Sequence, residues 1–145
     1  HEVVPYLEGN NVARHGRLRI IDSIQWARDE LLPRLQVRRR LGSAVVHSTC
    51  AGQHLGLTDA LTDVVSAFTE SVTVPEYGTC CGFAGDRGML HPELATAALE
   101  EQKVELEGRS FDAHISSNRT CEIGLSRVMG QDYGSFLFLL EQATR

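Results

Sequence analysis

Short apolar runs alternate with amphipathic segments along most of this 145-residue chain. Three of these runs have the length, the valine or isoleucine content and the flanking glycine, proline or serine residues of short strands: 43–48, 71–76 and 111–117. Between them, apolar residues recur with the 3.6-residue period of a helix, as in Leu57, Leu61, Val64, Val65 and Phe68. This alternation predicts an α/β domain with a small, mainly parallel sheet and flanking helices.

The expected helices have recognisable start and stop residues. Asp22 or Ser23 is expected to cap a first helix, and Pro33 limits its length. Pro92 suits the first turn of a later helix, where its missing N–H is not needed, and Gly108 is expected to end that helix. The helices after the first one are predicted at about 50–70, 91–108, 121–129 and 136–143.

Composition excludes several broad classes of protein. Apolar residues make up 42% of the chain and charged residues 23%, as in ordinary globular domains. The net charge of -5 argues against nucleic acid as a partner. No apolar stretch approaches the roughly 20 residues needed to span a bilayer. We therefore expect no transmembrane segment and a cytoplasmic location, with peripheral attachment at the inner face of a membrane left open.

Residues 1–19 differ from the rest of the chain. They show neither a helical nor a strand period, and the chain does not begin with methionine. We expect this segment to be a linker or a remnant of a preceding region, and residues 20–145 to form the folded domain.

A cysteine follows each predicted strand. Cys50 follows the first strand, Cys80 and Cys81 follow the second, and Cys121 follows the third. Because parallel strands end at one edge of a sheet, we expect the thiols to converge there. Each thiol would also lie near a helix N-terminus, whose free N–H groups and positive dipole end favour the thiolate.

The loop after the paired cysteines has the sequence GFAGDRG and is rich in glycine. Gly82, Gly85 and Gly88 would let backbone N–H groups approach a bound anion, and Arg87 and Arg119 would add positive charge nearby. Such surroundings suit an anionic thiolate–metal cluster. The loop has neither the dinucleotide fingerprint nor a P-loop lysine, so phosphate binding is a weak interpretation.

His47 lies at the end of the first predicted strand, shortly before Cys50. It could donate a hydrogen bond to cluster sulfur or relay a proton. The alternative is a histidine held by a backbone carbonyl at a strand end.

The cysteines allow several interpretations that the residues alone leave open. A free cysteine is often a small buried apolar residue. A disulfide between Cys80 and Cys81 would close a strained ring, although these thiols could serve in thiol–disulfide exchange. A structural zinc held by the same thiolates is a serious rival, but the chain lacks the usual C-x2-C knuckle. An iron–sulfur cluster, which cysteine thiolates also bind, is the remaining possibility.

The motif Cys50 … Cys80-Cys81-Gly82 … Cys121 resembles the cysteine-rich CCG domain of heterodisulfide reductases and of glycolate oxidase iron–sulfur subunits. HSTCAGQHLGLTDAL, VPEYGTCCGFAGDRGMLHPEL and SSNRTCEIGLS are similar to the C-terminal iron–sulfur region of bacterial FAD-linked, NAD-independent D-lactate dehydrogenases. This resemblance covers about residues 20–144.

The resemblance implies an iron–sulfur electron-transfer domain with no catalytic residues of its own. Its cluster, expected to be of the 4Fe–4S type, would be ligated by the four cysteines, with Gly82, Gly85, Arg87, His47 and Arg119 in support. FAD would be bound by a flavin domain elsewhere in the same polypeptide. Electrons would pass to a downstream acceptor, which could be a quinone, a cytochrome or a soluble carrier.

One position departs from the wider CCG pattern. That pattern ends in C-x-x-C, whereas this chain has CEIG, with Gly124 in the last place. The chain therefore offers four thiolates and not five, which fits an ordinary four-iron cluster and puts in doubt the non-cubane cluster of heterodisulfide reductase.

Overall fold

The computed structural model describes residues 20–145, so the predicted linker at 1–19 lies outside the described residues. Its centre is a sheet in which all strand pairs are parallel and the order is β2-β1-β3-β4. The strands are β1 (Leu41–His47), β2 (Thr69–Thr73), β3 (Ala113–Ser116) and β4 (Tyr133–Ser135). The predicted α/β fold with a parallel sheet is confirmed.

Helices flank this sheet and connect its strands. In chain order they are α1 (Ser23–Trp26), α2 (Cys50–His54), α3 (Thr58–Phe68), α4 (Arg87–Leu90), α5 (Pro92–Ala98), α6 (Glu100–Glu105), α7 (Arg119–Met129) and α8 (Phe136–Thr144). The first helix continues as a π-helical turn, Ala27–Leu31, and then as a 3-10 turn, Leu32–Arg34. The side chain of Asp22 accepts a hydrogen bond from the N–H of Ile24 at 2.8 Å, which confirms it as the cap of α1.

Two predicted helices are wrong in their extent. The segment from Cys50 to about Glu70 is two helices, because Gly56 adopts a left-handed backbone with φ of 68° between them. It also ends earlier, since β2 begins at Thr69. The predicted helix at 91–108 is likewise divided at Leu99 into α5 and α6.

The two faces of the sheet bury different side chains. Ala44, Val46, Ala113 and Ile115 point to one side, which we call the apolar face, where they pack with α1, α3 and α8. Residues next to them along the strands point to the opposite side. There Val45 packs with residues that include Cys81 and Cys121, so we call it the cysteine face.

The cysteine face is covered by the loop after β2 and by helices α5, α6 and α7. Leu99, Gln102 and Leu125 are buried there, together with Tyr133 of β4. Within residues 20–145, no helix is both long and apolar enough to cross a membrane.

Candidate metal centre

The carboxyl ends of three neighbouring strands carry the cysteines, as the sequence predicts. Cys50 is the first residue of α2, just after β1, and Cys121 lies in the first turn of α7, after β3. Cys80 and Cys81 lie in the loop between β2 and α4. Because β2, β1 and β3 are adjacent and parallel, these segments all emerge at the same edge of the sheet.

Cys81 and Cys121 form a buried sulfur pair. Their Sγ atoms are 2.7 Å apart and share a hydrogen bond, and both thiols are free. This bond and burial raise the pKa of Cys121, and the negative charges of Cys81, Cys50 and Cys80 raise it further. The other three thiols therefore all lie within electrostatic range of Cys121.

The environment of Cys81 favours its thiolate. The hydrogen bond between Cys81 and Cys121 is the largest influence and lowers the pKa of Cys81 to about 6, with help from the backbone N–H of Phe83. Burial opposes this change. The two thiols therefore titrate as a pair that shares a proton between its sulfurs, and loss of the other proton gives the thiolate form that binds metals.

Cys50 and Cys80, in contrast, are exposed. The N–H of Gly82 donates to Cys80 Sγ at 3.4 Å. Gln53 of α2 ties together the two segments that carry these thiols: its Nε2 donates to the carbonyl of Ser48 at 2.8 Å and to that of Gly78 at 2.5 Å. No local sequence signal indicates this role, because Gln53 acts across a gap of 25 residues.

Phe83 anchors the glycine-rich loop, and sequence reasoning missed it. The ring is fully buried. A Cβ on Gly88 would lie 2.5 Å from Cδ2 of this ring, so only glycine fits there. The N–H of Gly88 donates to the Phe83 carbonyl at 2.7 Å. The N–H of Gly88 is therefore used within the loop itself.

Gly82 and Gly85 both have left-handed backbones, with φ of 65° and 73°. Around Gly85 the space is open, whereas a Cβ on Gly82 would lie 2.5 Å from the carbonyl oxygen of Leu94. Gly82 is therefore needed both for the turn and for the close approach of the loop to α5.

Gly124, in the place of a fifth cysteine, also lies beside Phe83. A Cβ at this position would be 3.0 Å from Cδ2 of the Phe83 ring and 3.5 Å from the carbonyl oxygen of Cys81. A side chain at position 124 would therefore need the Phe83 ring to shift slightly.

The two arginines expected near the site differ in their contacts. Arg119 Nη1 donates to Glu122 Oε2 at 2.9 Å, so the buried Glu122 carboxylate next to Cys121 offsets its charge. Arg87 is exposed at the start of α4. Glu122 was not among the predicted site residues.

His47 is fully buried at the end of β1. Its Nδ1 lies 2.9 Å from Oε1 of Gln102, and burial lowers its pKa. The partner of this nitrogen is a side chain and not the backbone carbonyl considered as the alternative. Among the described residues, His47 Nε2 has no hydrogen-bond partner.

These residues fit an iron–sulfur cluster better than a single metal ion. Within residues 20–145, no three His, Cys, Asp or Glu side chains are close enough to share one ion, as a structural zinc would require. In a cluster each thiolate binds a different iron atom, so the thiols need not meet at one point. A low thiol pKa at Cys81, an N–H directed at Cys80 and an unpartnered atom on His47 also suit a group rich in sulfur.

Comparison with known proteins found a similar chain in Escherichia coli (strain K12), the glycolate oxidase iron-sulfur subunit. The two are 26% identical over 125 residues, which cover 85% of this chain and 30% of the relative. The chain thus spans about a third of the length of the curated relative it matches. No family model matches the chain, and no solved structure matches it.

Proposed function

We propose that this chain is an iron–sulfur electron-transfer domain of a 2-hydroxy acid oxidoreductase. The observation that carries the proposal is the placement of four free cysteines after three adjacent parallel strands, with Cys81 and Cys121 buried and hydrogen-bonded to each other. The similarity to an iron–sulfur subunit of glycolate oxidase supports the same role. The ligands in this proposal are Cys50, Cys80, Cys81 and Cys121.

The cluster, when bound, would take up and release single electrons. The chain's own residues would hold it and adjust its surroundings. Cys81 and Cys121 would bind it from the interior, and the exposed Cys50 and Cys80 from the side nearest solvent. The N–H groups of Gly82 and Phe83 would stabilise negative charge on sulfur, which raises a reduction potential.

The finer part of the proposal concerns the electron donor. We propose that a flavin domain carrying FAD in the same polypeptide oxidises D-lactate and reduces this domain. Electrons would then leave to a quinone, a cytochrome or a soluble carrier. The sequence motifs around the cysteines support this assignment, because they resemble those of FAD-linked D-lactate dehydrogenases.

The metal assignment is tested by anaerobic reconstitution of the chain with iron and sulfide. We expect about four iron atoms per chain and an EPR signal after reduction with dithionite. Cys80→Ser should lose most of the iron, whereas Thr79→Ser, a neighbouring exposed substitution, should retain it. Stoichiometric zinc without iron in the anaerobically purified protein would contradict the proposal and favour a structural zinc site.

The substrate assignment needs the complete polypeptide. Under anaerobic conditions, D-lactate should bleach the flavin absorbance and then produce the EPR signal of the reduced cluster. Glycolate serves as the comparison, because it has the same 2-hydroxy acid group without the methyl. Faster cluster reduction by glycolate than by D-lactate would overturn the assignment to D-lactate and leave the iron–sulfur role intact.

A second candidate function is thiol–disulfide exchange, and one observation favours it. Cys81 and Cys121 are adjacent, and the hydrogen bond between them lowers the pKa of Cys81, as in a reactive dithiol. The pair differs from the Cys80–Cys81 pair expected from the sequence. A defined two-electron midpoint for Cys81–Cys121 in a chain that never loads iron would support this second function.

A further inference from the structure

Unpartnered polar atoms accumulate on the cysteine face. Among the described residues, four buried side-chain atoms have no hydrogen-bond partner: His47 Nε2, Gln102 Nε2, Ser116 Oγ and Tyr133 OH. His47 and Ser116 are register partners at the ends of β1 and β3, so their side chains lie next to each other on this face. Such atoms are costly unless something bonds them, so their clustering calls for an explanation in terms of function.

Gln102 connects two of these residues. It is fully buried on α6, and its Oε1 lies 2.9 Å from His47 Nδ1. The Gln102 amide also influences Tyr133: burial raises the pKa of Tyr133 to about 12, and Gln102 partly offsets this rise. Tyr133 therefore lies near the Gln102 side chain, whose amide oxygen faces the imidazole of His47.

This orientation determines where the imidazole proton resides. An amide oxygen can only accept a hydrogen bond, so Nδ1 of His47 must donate. Burial lowers the pKa of His47 more than Gln102 raises it, which keeps the ring neutral with a single N–H. Nε2 is then left with a lone pair and no hydrogen.

We propose that Gln102 is a positioning residue that holds His47 in the Nδ1–H tautomer. In this tautomer Nε2 carries no hydrogen, so His47 cannot donate a hydrogen bond from Nε2 to the site formed by the four cysteines, which we call the sulfur site. The consequence for reduction potential rests on the proposed iron–sulfur function. Sulfur in a cluster accepts hydrogen bonds, and each donor favours the reduced, more negative state. A bare Nε2 on the cysteine face offers no donor, so the potential stays lower than with the other tautomer.

The tautomer can be measured without any metal. Long-range 1H–15N NMR of the metal-free chain distinguishes a protonated ring nitrogen from a bare one, and His47→Asn assigns the signal. We expect the Nδ1–H form in the wild-type chain. Gln102→Met removes the acceptor and keeps the side-chain length, so it should shift the ring towards the Nε2–H form. A wild-type ring already in the Nε2–H form would overturn the proposal.

Tyr133→Phe is the matched control. It removes a polar atom from the opposite end of Gln102 and leaves the contact between Gln102 and His47 in place. The tautomer should be unchanged in this variant. If Tyr133→Phe shifted the tautomer, the phenol would be donating to the Gln102 oxygen and the amide would face His47 through its nitrogen, which contradicts the proposal.

A second measurement, the reduction potential of the cluster, tests whether the tautomer of His47 affects the cluster. In the iron-loaded chain, Gln102→Met should favour reduction up to about tenfold, ~59 mV for one electron, whereas Tyr133→Phe should have a much smaller effect. An unchanged potential together with a changed tautomer would overturn the link between His47 and the sulfur site. A chain that binds no iron would contradict the proposed function but leave the tautomer result standing.

Discussion

The two faces of the sheet are built from different chemistry. The buried cluster on the apolar face consists of aliphatic residues, alanines and two phenylalanines. The cysteine face buries a sulfur pair, and the four unpartnered polar atoms of the described residues lie there too. Burial of apolar side chains stabilises a fold, whereas unpartnered polar atoms destabilise it. The difference divides the domain into one face with purely apolar packing and one face where sulfur and unpartnered polar atoms are buried among apolar side chains.

The sharpest test of this division is Phe68→Ala on the apolar face. The ring is fully buried, so its removal should lower the free energy of unfolding by about 3–5 kcal/mol. Urea denaturation of the metal-free chain measures this. Phe138→Ala on α8 is the control, because Phe138 is 69% exposed and its loss should change stability by no more than ~0.5 kcal/mol. A loss at Phe68 as small as that at Phe138 would refute the division.

The next prediction compares two glycines of the loop that covers the cysteine face. Gly82→Ala and Gly85→Ala both place a side chain on a left-handed backbone, which costs about 1–2 kcal/mol. Only the Cβ at Gly82 would meet neighbouring atoms, at 2.5 Å from the carbonyl oxygen of Leu94. We expect Gly82→Ala to cost about 1–3 kcal/mol more than Gly85→Ala in the same denaturation assay. Equal costs would show that the loop does not depend on packing against α5.

The strand–helix alternation and the edge where the cysteines meet could be predicted from the sequence. The reason is physical. The spacing of apolar residues indicates local helices and strands, and the carboxyl ends of parallel strands lie at a common edge of the sheet. The cap at Asp22 and the end of α7 at Gly130 are also local signals, and the structure contains both.

The missed features all depend on contacts between distant parts of the chain. The three-residue β4 has no period to detect and forms only because β3 lies beside it. Phe83 resembles an ordinary loop residue until Gly88 and Gly124 are seen to pack against its ring. Gln102 falls in the periodic positions of its helix, but only the folded chain shows that its amide is buried against His47, 55 positions away.

Cys121→Ala should change the free energy of unfolding less than the preceding substitutions. It should change the ionisation of Cys81 strongly. The hydrogen bond between Cys81 and Cys121 is the main influence that lowers the pKa of Cys81 to about 6. Without this partner, burial should dominate, and the pKa of Cys81 should rise towards or above the usual value of about 8.5. At pH 7 the thiol is then mostly protonated instead of mostly ionised. Ultraviolet absorbance of thiolate, followed against pH in the metal-free chain, measures the change.

Cys50→Ala provides the comparison for that titration, because it removes a thiol that makes no hydrogen bond to Cys81. The low-pKa step should persist in Cys50→Ala and disappear in Cys121→Ala. A step near pH 6 that survives the loss of Cys121 would mean that the backbone N–H of Phe83 alone is sufficient to hold the thiolate.

The least disruptive test leaves the sequence unchanged and compares the thiols by their reactivity. Cys81 and Cys121 are 4% and 6% exposed, whereas Cys50 and Cys80 are exposed. Brief alkylation of the folded, metal-free chain should therefore modify Cys50 and Cys80 first, although its hydrogen bond lowers the pKa of Cys81. Mass spectrometry of the digested chain identifies the sites. Early modification of Cys81 would show that the cysteine face opens readily to solvent. Protection of all four thiols after iron loading would place the exposed Cys50 and Cys80 in the same site as the buried Cys81 and Cys121.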